Sequence, residues 1–264
     1  MLKIISVILF TLSLSTFADD YDDGLVEYNN GNHKNAVSLF NKAAERGNAK
    51  AQYSLAWMFD SGVGVVQDLK KAAHWYTQAA EQGSVDAQFN LGMMYNKGEG
   101  VVQDFKKAVH WYTKAAEQGY VDAQYRLALR YAKGEGVIQD FKKAVHWYTK
   151  AAQQGYADAQ FNLGLMYKSG QGVVQDFKQA VHWYTKASEQ GYLSAQQNLG
   201  LMYYQGQGVT KSKIKAYIWF CVAAKNDYKS AIKNRDIIAK QLSQAELEAA
   251  QEKVSKLYEK INSK

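Results

Sequence analysis

The chain of 264 residues contains no proline and only one cysteine, Cys221. A single cysteine cannot form an intramolecular disulfide, so a small disulfide-stapled fold is excluded and stability must come from packing. The lack of proline is unusual for a mixed fold with many turns, whereas long helices joined by glycine turns would tolerate it. We expect Cys221 to be a small apolar core residue; an intermolecular or reactive thiol is the alternative.

Long apolar runs are also lacking, apart from one near the N-terminus. Lys3 is followed by IISVILFTLSLSTFA, which ends in the small-x-small pattern TFA just ahead of Asp19. This layout predicts a cleavable secretory signal over residues 1–18, which is too short for a membrane span. The expected location is therefore periplasmic or secreted, with no integral membrane segment after cleavage; an uncleaved anchor is the alternative.

The chain is basic, and its net charge excludes few classes of partner. The formal charge is +7, and removal of residues 1–18 would lower it only to +6. A basic protein can contact acidic partners without its net charge naming one. Nucleic acid is not expected as a partner, because the chain contains none of the recognised reading motifs.

What the chain has in abundance is one repeated helical segment. The sequence QDFKKAVHWYTKAAEQGY begins at Gln103, and close copies begin at Gln67, Gln139 and Gln175. Tryptophans recur every 36 residues, at Trp75, Trp111, Trp147, Trp183 and Trp219. A period in the thirties with helical patterning inside each unit predicts a solenoid of helix hairpins.

Each repeat is predicted to contain a helix A and a helix B. In one repeat, helix A runs from about Asp86 to Asn96 and helix B from about Asp104 to Gln118, joined by the glycine loop KGEGV. An aspartate opens each copy of helix B, at Asp68, Asp104, Asp140 and Asp176. We interpret these aspartates as N-caps, because no second carboxylate stands beside any of them to make a catalytic or metal pair.

A helical projection of helix B separates a core face from a solvent face. Phe105, Ala108, Trp111, Tyr112 and Ala115 fall on one side and His110 on the other, so we expect the aromatic pair in the core. Histidines of successive repeats cannot share a metal, because stacked helices lie about 8–10 Å apart whereas zinc–nitrogen bonds measure about 2.1 Å. No metal site and no cofactor are predicted.

The repeated pattern resembles a known family. The positions that carry the resemblance are Ala87, Leu91, Gly92, Tyr95, Gly98, Gly100, Val101, Asp104, Lys107, Ala108, Trp111, Tyr112, Lys114, Ala115, Ala116 and Gly119. Together they resemble the Sel-1-like repeat, a relative of the tetratricopeptide repeat. Two departures are present: the family often has a proline where this chain has Val66, Val102, Ile138 or Val174, and Ala56 and Ala128 replace the glycine of helix A.

The resemblance implies an all-α fold, a right-handed α/α superhelical solenoid of helix hairpins with a C-terminal helical cap. We expect a tetratricopeptide-like unit over residues 19–47, five Sel-1-like repeats over 48–228 and capping helices over 229–264. In the last segment, Ser243 and Glu246 match a capping box. The apolar stripe expected to dock on the last repeat consists of Leu247, Ala250, Val254, Leu257 and Ile261.

By the same resemblance, the A helices are expected to line a concave groove that binds a peptide or a partner protein. Enzyme signatures in the sequence are thin, so no enzymatic activity is expected. The candidate groove residues are Trp57, Asp60, Met93, Asn96, Leu129, Leu165, Lys168, Leu201 and Tyr204. Aromatic residues and methionine suit such a surface, because they offer large contact areas and adapt to irregular partners. The alternative is that many of these side chains only pack one helix A against the next.

Two other functions stay open as alternatives. A basic outer stripe of Lys106, Lys107, His110, Lys142, Lys143 and His146 could contact an acidic envelope polymer, although a solvated helix face is the ordinary interpretation. The segments Ser212–Lys215 and Ser230–Lys233 each satisfy S-x-x-K, a pattern of β-lactam-binding enzymes, which would allow a hydrolase acting on β-lactams or peptidoglycan. The companion S-D-N and K-T-G motifs are absent, so no catalytic residue is predicted.

Overall fold

The computed structural model describes residues 20–263, and all regular structure within them is helical, as expected for an all-α fold. The predicted signal segment, residues 1–18, lies outside the described residues. The helices are α1 (20–29), α2 (His33–Glu45), α3 (Ala49–Ser61), α4 (Leu69–Glu81), α5 (Val85–Lys97), α6 (Phe105–Glu117), α7 (Val121–Lys133), α8 (Phe141–Gln153), α9 (Ala157–Ser169), α10 (Phe177–Ser188), α11 (Leu193–Gln205), α12 (Lys213–Ala224), α13 (Lys229–Ala239) and α14 (Gln244–Asn262).

The chain divides into two compact units. The first contains the residues up to Ala123 together with Glu135–Val137, and the second contains Gln124–Gly134 and the residues from Ile138 onward. Within the first unit α3 packs on α4 and α5 on α6; within the second, α9 packs on α10 and α11 on α12. Consecutive helices therefore form the predicted hairpins.

The start of each helix B is fixed by an aspartate, as predicted. The carboxylate of Asp104 accepts a hydrogen bond from the backbone N–H of Lys107 at 3.0 Å. Asp68, Asp140 and Asp176 cap α4, α8 and α10 in the same way. The carboxylate satisfies backbone N–H donors that have no partner inside the helix. Each helix B therefore begins at the residue that follows the aspartate.

Glycines close each hairpin loop for two different reasons. Gly98 ends α5 in the left-handed region, with φ 77°, and its N–H donates to the Met94 carbonyl oxygen at 2.8 Å. Gly100 lies against the start of the preceding helix B, where a Cβ atom would come within 2.1 Å of the Leu69 carbonyl oxygen. The second glycine of the loop is thus required by contact between neighbouring repeats as well as by its backbone conformation.

The core of four of the six repeats is built around one tyrosine of helix B, and Phe40 and Phe220 take its place in the first and the last. Tyr112 is fully buried, and Gly92 of helix A leaves room for its ring, because a Cβ atom there would lie 2.7 Å from the ring. The expectation that Phe105 and both members of the aromatic pair lie in the core is wrong in part, since Trp111 is only partly buried and Phe105 is 37% exposed. Adjacent residues point about 100° apart on a helix, so Tyr112 takes the centre and Trp111 the edge.

Buried glutamines connect consecutive repeats and were not singled out from the sequence. Within the first unit, the Gln88 side-chain amide donates to the Ala80 carbonyl at 3.0 Å, and its oxygen accepts from the Gln118 amide at 2.8 Å. Equivalent bonds join Gln52 to Ala44 and Gln82, and, in the second unit, Gln160 to Ala152 and Gln190. These bonds satisfy a polar side chain that is otherwise costly to bury.

The glutamine series ends at the last repeat of the second unit. Gln196 donates to the Ser188 carbonyl, but its buried side-chain oxygen has no hydrogen-bond partner among residues 20–263. The position equivalent to Gln118 and Gln190 holds Asn226, whose side chain is one methylene shorter. The shorter amide accounts for the missing bond.

The predicted C-terminal helices dock as expected. Ser243 and Glu246 form the capping box at the start of α14. From the predicted stripe, Ala250, Val254 and Ile261 are buried in a cluster with residues of α12, and Leu247 and Leu257 pack against it partly buried. Cys221 lies buried in the same cluster, as expected for a small core residue, and burial raises the pKa of its thiol.

Candidate partner-binding surface

The first unit contains an open apolar pocket beside Trp57. Its volume is about 260 Å³, and it is lined by Leu25, Tyr28, Phe40, Tyr53, Ser54, Trp57 and Met58. Leu25 and Trp57 are each 36% exposed. The Tyr28 ring meets the Trp57 ring edge-on, with 6.1 Å between the centroids. Exposed aromatic and aliphatic surface around a preformed pocket is typical of sites that anchor a partner's apolar side chain.

Helical geometry determines why Trp57 faces this pocket. Its neighbours on α3, Ala56 and Met58, are completely buried in the core. Trp57 lies between them in sequence, about 100° from each around the helix, and therefore projects from the face of α3 opposite its buried side. Leu25 and Tyr28 complete the pocket from α1, three residues apart and thus on one side of that helix.

The other candidate groove residues of the first unit are partly buried and contact the core. The Tyr76 hydroxyl donates to the Asp60 carboxylate at 3.4 Å, and burial raises the pKa of the Asp60 carboxyl. The Tyr112 hydroxyl donates to the sulfur of Met93 at 3.1 Å. Asn96 is also partly exposed. Asp60 and Met93 thus have a packing role in addition to their exposed surface.

The candidate groove residues of the second unit are partly buried too. They are Leu129, Leu165, Lys168, Leu201 and Tyr204. Leu165 packs against the core cluster around Tyr184, while Leu201 and Tyr204 pack against the cluster formed by α12 and α14. Packing therefore uses part of the surface that the sequence indicated for binding.

Comparison with known proteins identifies the repeats. The Sel1 repeat family model matches residues 21–48, 49–84, 85–120, 121–156, 157–192 and 193–228. The chain belongs to the Sel1 repeat family. Proteins of this family are generally protein-interaction scaffolds and typically have no enzymatic activity.

Solved structures of other Sel1-repeat proteins resemble this one. A Sel1 repeat protein from Oxalobacter formigenes is 32% identical, with 92% of this chain and 96% of that chain covered and a TM-score of 0.72. A protective antigen of uropathogenic Escherichia coli that displays an SLR fold is 32% identical over 86% of this chain and 64% of that chain, with a TM-score of 0.46. A search of curated proteins found no match.

The lysines of the basic outer stripe fall into two classes in this Sel1-repeat protein. Lys106 and Lys142 are exposed. Lys107 and Lys143 are exposed as well, but their ammonium groups lie 5.1 Å and 5.2 Å from the ring centroids of Tyr95 and Tyr131. Such a cation–π contact stabilises the packing of helix B on helix A within a hairpin. Half of these lysines therefore have a structural role.

The histidines of the same stripe lie beside tryptophans. His110 and His146 are exposed, and their rings meet Trp111 and Trp147 edge-on, with 5.0 Å and 5.1 Å between the ring centroids.

Among residues 20–263, no three histidine, cysteine, aspartate or glutamate side chains come together as metal ligands. The same range contains no helix with both the length and the apolar composition that a membrane crossing requires.

The S-x-x-K segments of this Sel1-repeat protein have other roles. Ser212 caps α12, since its hydroxyl accepts from the Lys215 backbone N–H at 3.2 Å. The Lys215 ammonium lies 5.2 Å from the centre of the Tyr203 ring. Ser230 and Lys233 are both exposed on α13. A serine nucleophile requires a base within hydrogen-bond reach, and Lys215 is directed toward an aromatic ring instead.

Proposed function

We propose that the protein is a non-enzymatic scaffold that binds a peptide or a partner protein, with an apolar anchor of the partner seated beside Trp57. The observation that carries this proposal is the open apolar pocket of about 260 Å³ in the first unit. That volume is many times the roughly 10–15 Å³ that one water molecule needs by the same measure. A large aliphatic or aromatic side chain of a partner therefore fits, and its burial would provide the main favourable term in binding.

The wider binding surface in this proposal is the concave groove expected from the family. Met93 and Asn96 extend it within the first unit, and Leu129, Leu165, Lys168, Leu201 and Tyr204 are the proposed contacts of the second unit. The proposed setting is the periplasm or the secreted space, which is supported by the apolar stretch that follows Lys3. Contact between the basic outer stripe and an acidic polymer is a separate mode of binding.

The test compares Trp57→Ala with Val66→Ala in the full chain. Both residues are exposed and apolar, and Val66 is 89% exposed outside the pocket, so it provides a matched control. Each immobilised variant is incubated with an envelope extract, and proteins retained at low and then at high salt are quantified by mass spectrometry. We expect Trp57→Ala to lose at least about tenfold of a salt-resistant partner, equivalent to about 1.4 kcal/mol, and Val66→Ala to retain it.

A second variant separates loss of binding from loss of folding. Leu25→Glu places a charge in the pocket from α1, and a helical circular dichroism spectrum like that of the wild type would establish that it is folded. Unchanged retention by both Trp57→Ala and Leu25→Glu would overturn the proposal. Retention only at low salt would instead indicate the acidic-polymer alternative, because exposed charges are screened within about 10 Å at 0.1 M salt.

A further inference from the structure

A tyrosine at the junction between repeats stacks on an aromatic residue of the preceding helix A. In the first unit, the ring centroids of Tyr120 and Phe89 are 4.9 Å apart. In the second unit, the same arrangement pairs Tyr156 with Tyr125 at 5.1 Å and Tyr192 with Phe161 at 5.0 Å. A tyrosine side chain therefore fits this site between repeats.

The hydroxyl end of one stacked tyrosine, Tyr192, meets an acceptor on the preceding helix A. Tyr192 donates to the Asp158 carboxylate at 3.2 Å. Asp86 and Asp122 occupy the position of Asp158 in the two earlier repeats, 36 residues apart. The Tyr192 site thus combines an aromatic platform with a hydrogen-bonding group at the far end of the ring, and the earlier repeats hold an aspartate at the same position.

One of these sites, at the junction of residues 49–84 with the next repeat, has lost its tyrosine. Ser84 occupies the position of Tyr120, and its hydroxyl caps α5 by accepting from the Ala87 backbone N–H at 3.4 Å. Tyr53 occupies the position of Phe89 and provides the platform. A pocket of about 350 Å³ is present here, with Tyr53, Ser84 and Lys50 among its lining residues.

The polar end of this pocket combines a cation with an anion. Lys50 stands where Asp86, Asp122 and Asp158 stand in later repeats, so a cation replaces an anion at that position, while Asp86 itself also lines the pocket. Lys50 is exposed and forms no ion pair with any of residues 20–263. An ammonium group donates hydrogen bonds and accepts none, so a phenolic oxygen at the far end of a bound ring would act as the acceptor here.

We propose that this pocket binds a tyrosine side chain of a partner, with its ring stacked on Tyr53 and its hydroxyl accepting a hydrogen bond from Lys50. The partner's tyrosine takes the place that Tyr120, Tyr156 and Tyr192 occupy in the other repeats. This inference deepens the proposed function by naming one partner side chain. The pocket is distinct from the one at Trp57, although Tyr53 lines both.

The test titrates the isotopically labelled full chain with N-acetyl-tyrosinamide and follows backbone amide shifts by NMR. We expect saturable shifts at Lys50, Tyr53, Gly83 and Ser84, with a dissociation constant on the order of 1 mM for so small a probe. N-acetyl-phenylalaninamide should bind about threefold more weakly, because it has no acceptor for Lys50. N-acetyl-leucinamide, which cannot stack, should leave these amides unshifted.

Ser84→Tyr restores the tyrosine of the other repeats and should abolish the shifts, because the chain's own ring then fills the pocket. Ser84→Ala also removes the serine cap but leaves the space open, so it should bind the probe as the wild type does. Binding to Ser84→Tyr at wild-type strength, or equal shifts with the leucine probe, would overturn the inference. Trp57→Ala separates the two proposals, since it should reduce partner capture and leave the tyrosine probe bound.

Discussion

Two neighbouring repeats of the first unit, residues 49–84 and 85–120, have the same packing and different surfaces. Both bury a tyrosine of helix B and a glutamine of helix A, and in both an aspartate caps the start of helix B. They differ where side chains reach solvent: Trp57 replaces Met93, Lys50 replaces Asp86 and Ser84 replaces Tyr120. Contacts between repeats thus constrain the volume and bonding of the buried positions, while the exposed positions of one repeat can specialise for a partner.

The largest expected effect tests whether the two cores are equivalent. Tyr76→Ala and Tyr112→Ala each remove a completely buried ring, and each should lower the free energy of unfolding by about 3–5 kcal/mol. Urea denaturation followed by circular dichroism measures this. Trp57→Ala is the surface control and should cost far less. Costs for Tyr76→Ala and Tyr112→Ala that differ by more than about 2 kcal/mol, as different cavity relaxation would produce, would break the comparison.

Alkaline pH tests the buried tyrosines of several repeats together. Burial raises the pKa of Tyr76, Tyr148 and Tyr184, while that of the more exposed Tyr192 is raised to about 12. A tyrosine whose pKa is higher in the folded than in the unfolded state stabilises the fold fully below its unfolded pKa, which is near 10. That contribution is lost as the pH rises from the unfolded pKa through the folded pKa. At pH 10.5, stability should have fallen by about 0.8 kcal/mol for each buried tyrosine.

Absorbance at 295 nm measures the ionisation of these tyrosines. Urea midpoints at pH 8, 9.5 and 10.5 would give the corresponding change in stability. Partly exposed tyrosines should ionise first, and the buried ones only as the protein unfolds. A stability that is constant up to pH 11 would contradict this prediction.

The next effect concerns the glutamine that both repeats bury. Gln88→Ala should destabilise the protein by about 1–3 kcal/mol, because it removes the partner of the Ala80 carbonyl and of the Gln118 amide. Gln52→Ala, in the neighbouring repeat, should cost a similar amount. Gln153→Ala, at an exposed position of α8, is the control and should change the urea midpoint little. A cost for Gln88→Ala as small as that of the control would argue against the role of these bonds.

The smallest predicted effect is a gain at the last repeat of the second unit. Asn226→Gln lengthens the side chain at the position of Gln118 and Gln190, so that its amide can reach the unpartnered oxygen of Gln196. A new bond of this kind contributes about 0.5–1.5 kcal/mol. Thermal unfolding should therefore shift upward. The double variant Asn226→Gln with Gln196→Ala should lose the gain, and an equal gain in both backgrounds would refute the mechanism.

Much of the scaffold was predictable because its signals are local and repeated. Aspartate caps, glycine loops and the capping box at Ser243 each depend on a few adjacent residues, and the structure confirms them. The buried glutamines recur every 36 residues and could have been found by the same alignment. They were missed because a polar residue is expected to be exposed, and only a bonded partner from the next repeat makes its burial favourable.

The candidate binding surface was less predictable, for reasons of packing. Trp57 and Met93 are flanked in sequence by core residues. The sequence pattern does not tell how much of each side chain packs against the core and how much is free to contact a partner. The stacking of Lys107 on Tyr95 joins two helices and depends on their spacing. The open pocket at Tyr53 follows from the missing tyrosine at position 84, which is visible in an alignment of the repeats but acquires meaning only where Tyr120 stacks on Phe89.

The sequence by itself determined the repeat period, the helical hairpins, their caps and the membership of a family of interaction scaffolds, because these depend on short-range propensities and their repetition. The tertiary structure alone decided which of two adjacent aromatic residues is central, which glutamines are bonded and where space is left open. Those outcomes depend on the distance between side chains that are far apart in the chain, and a periodic pattern does not specify that distance.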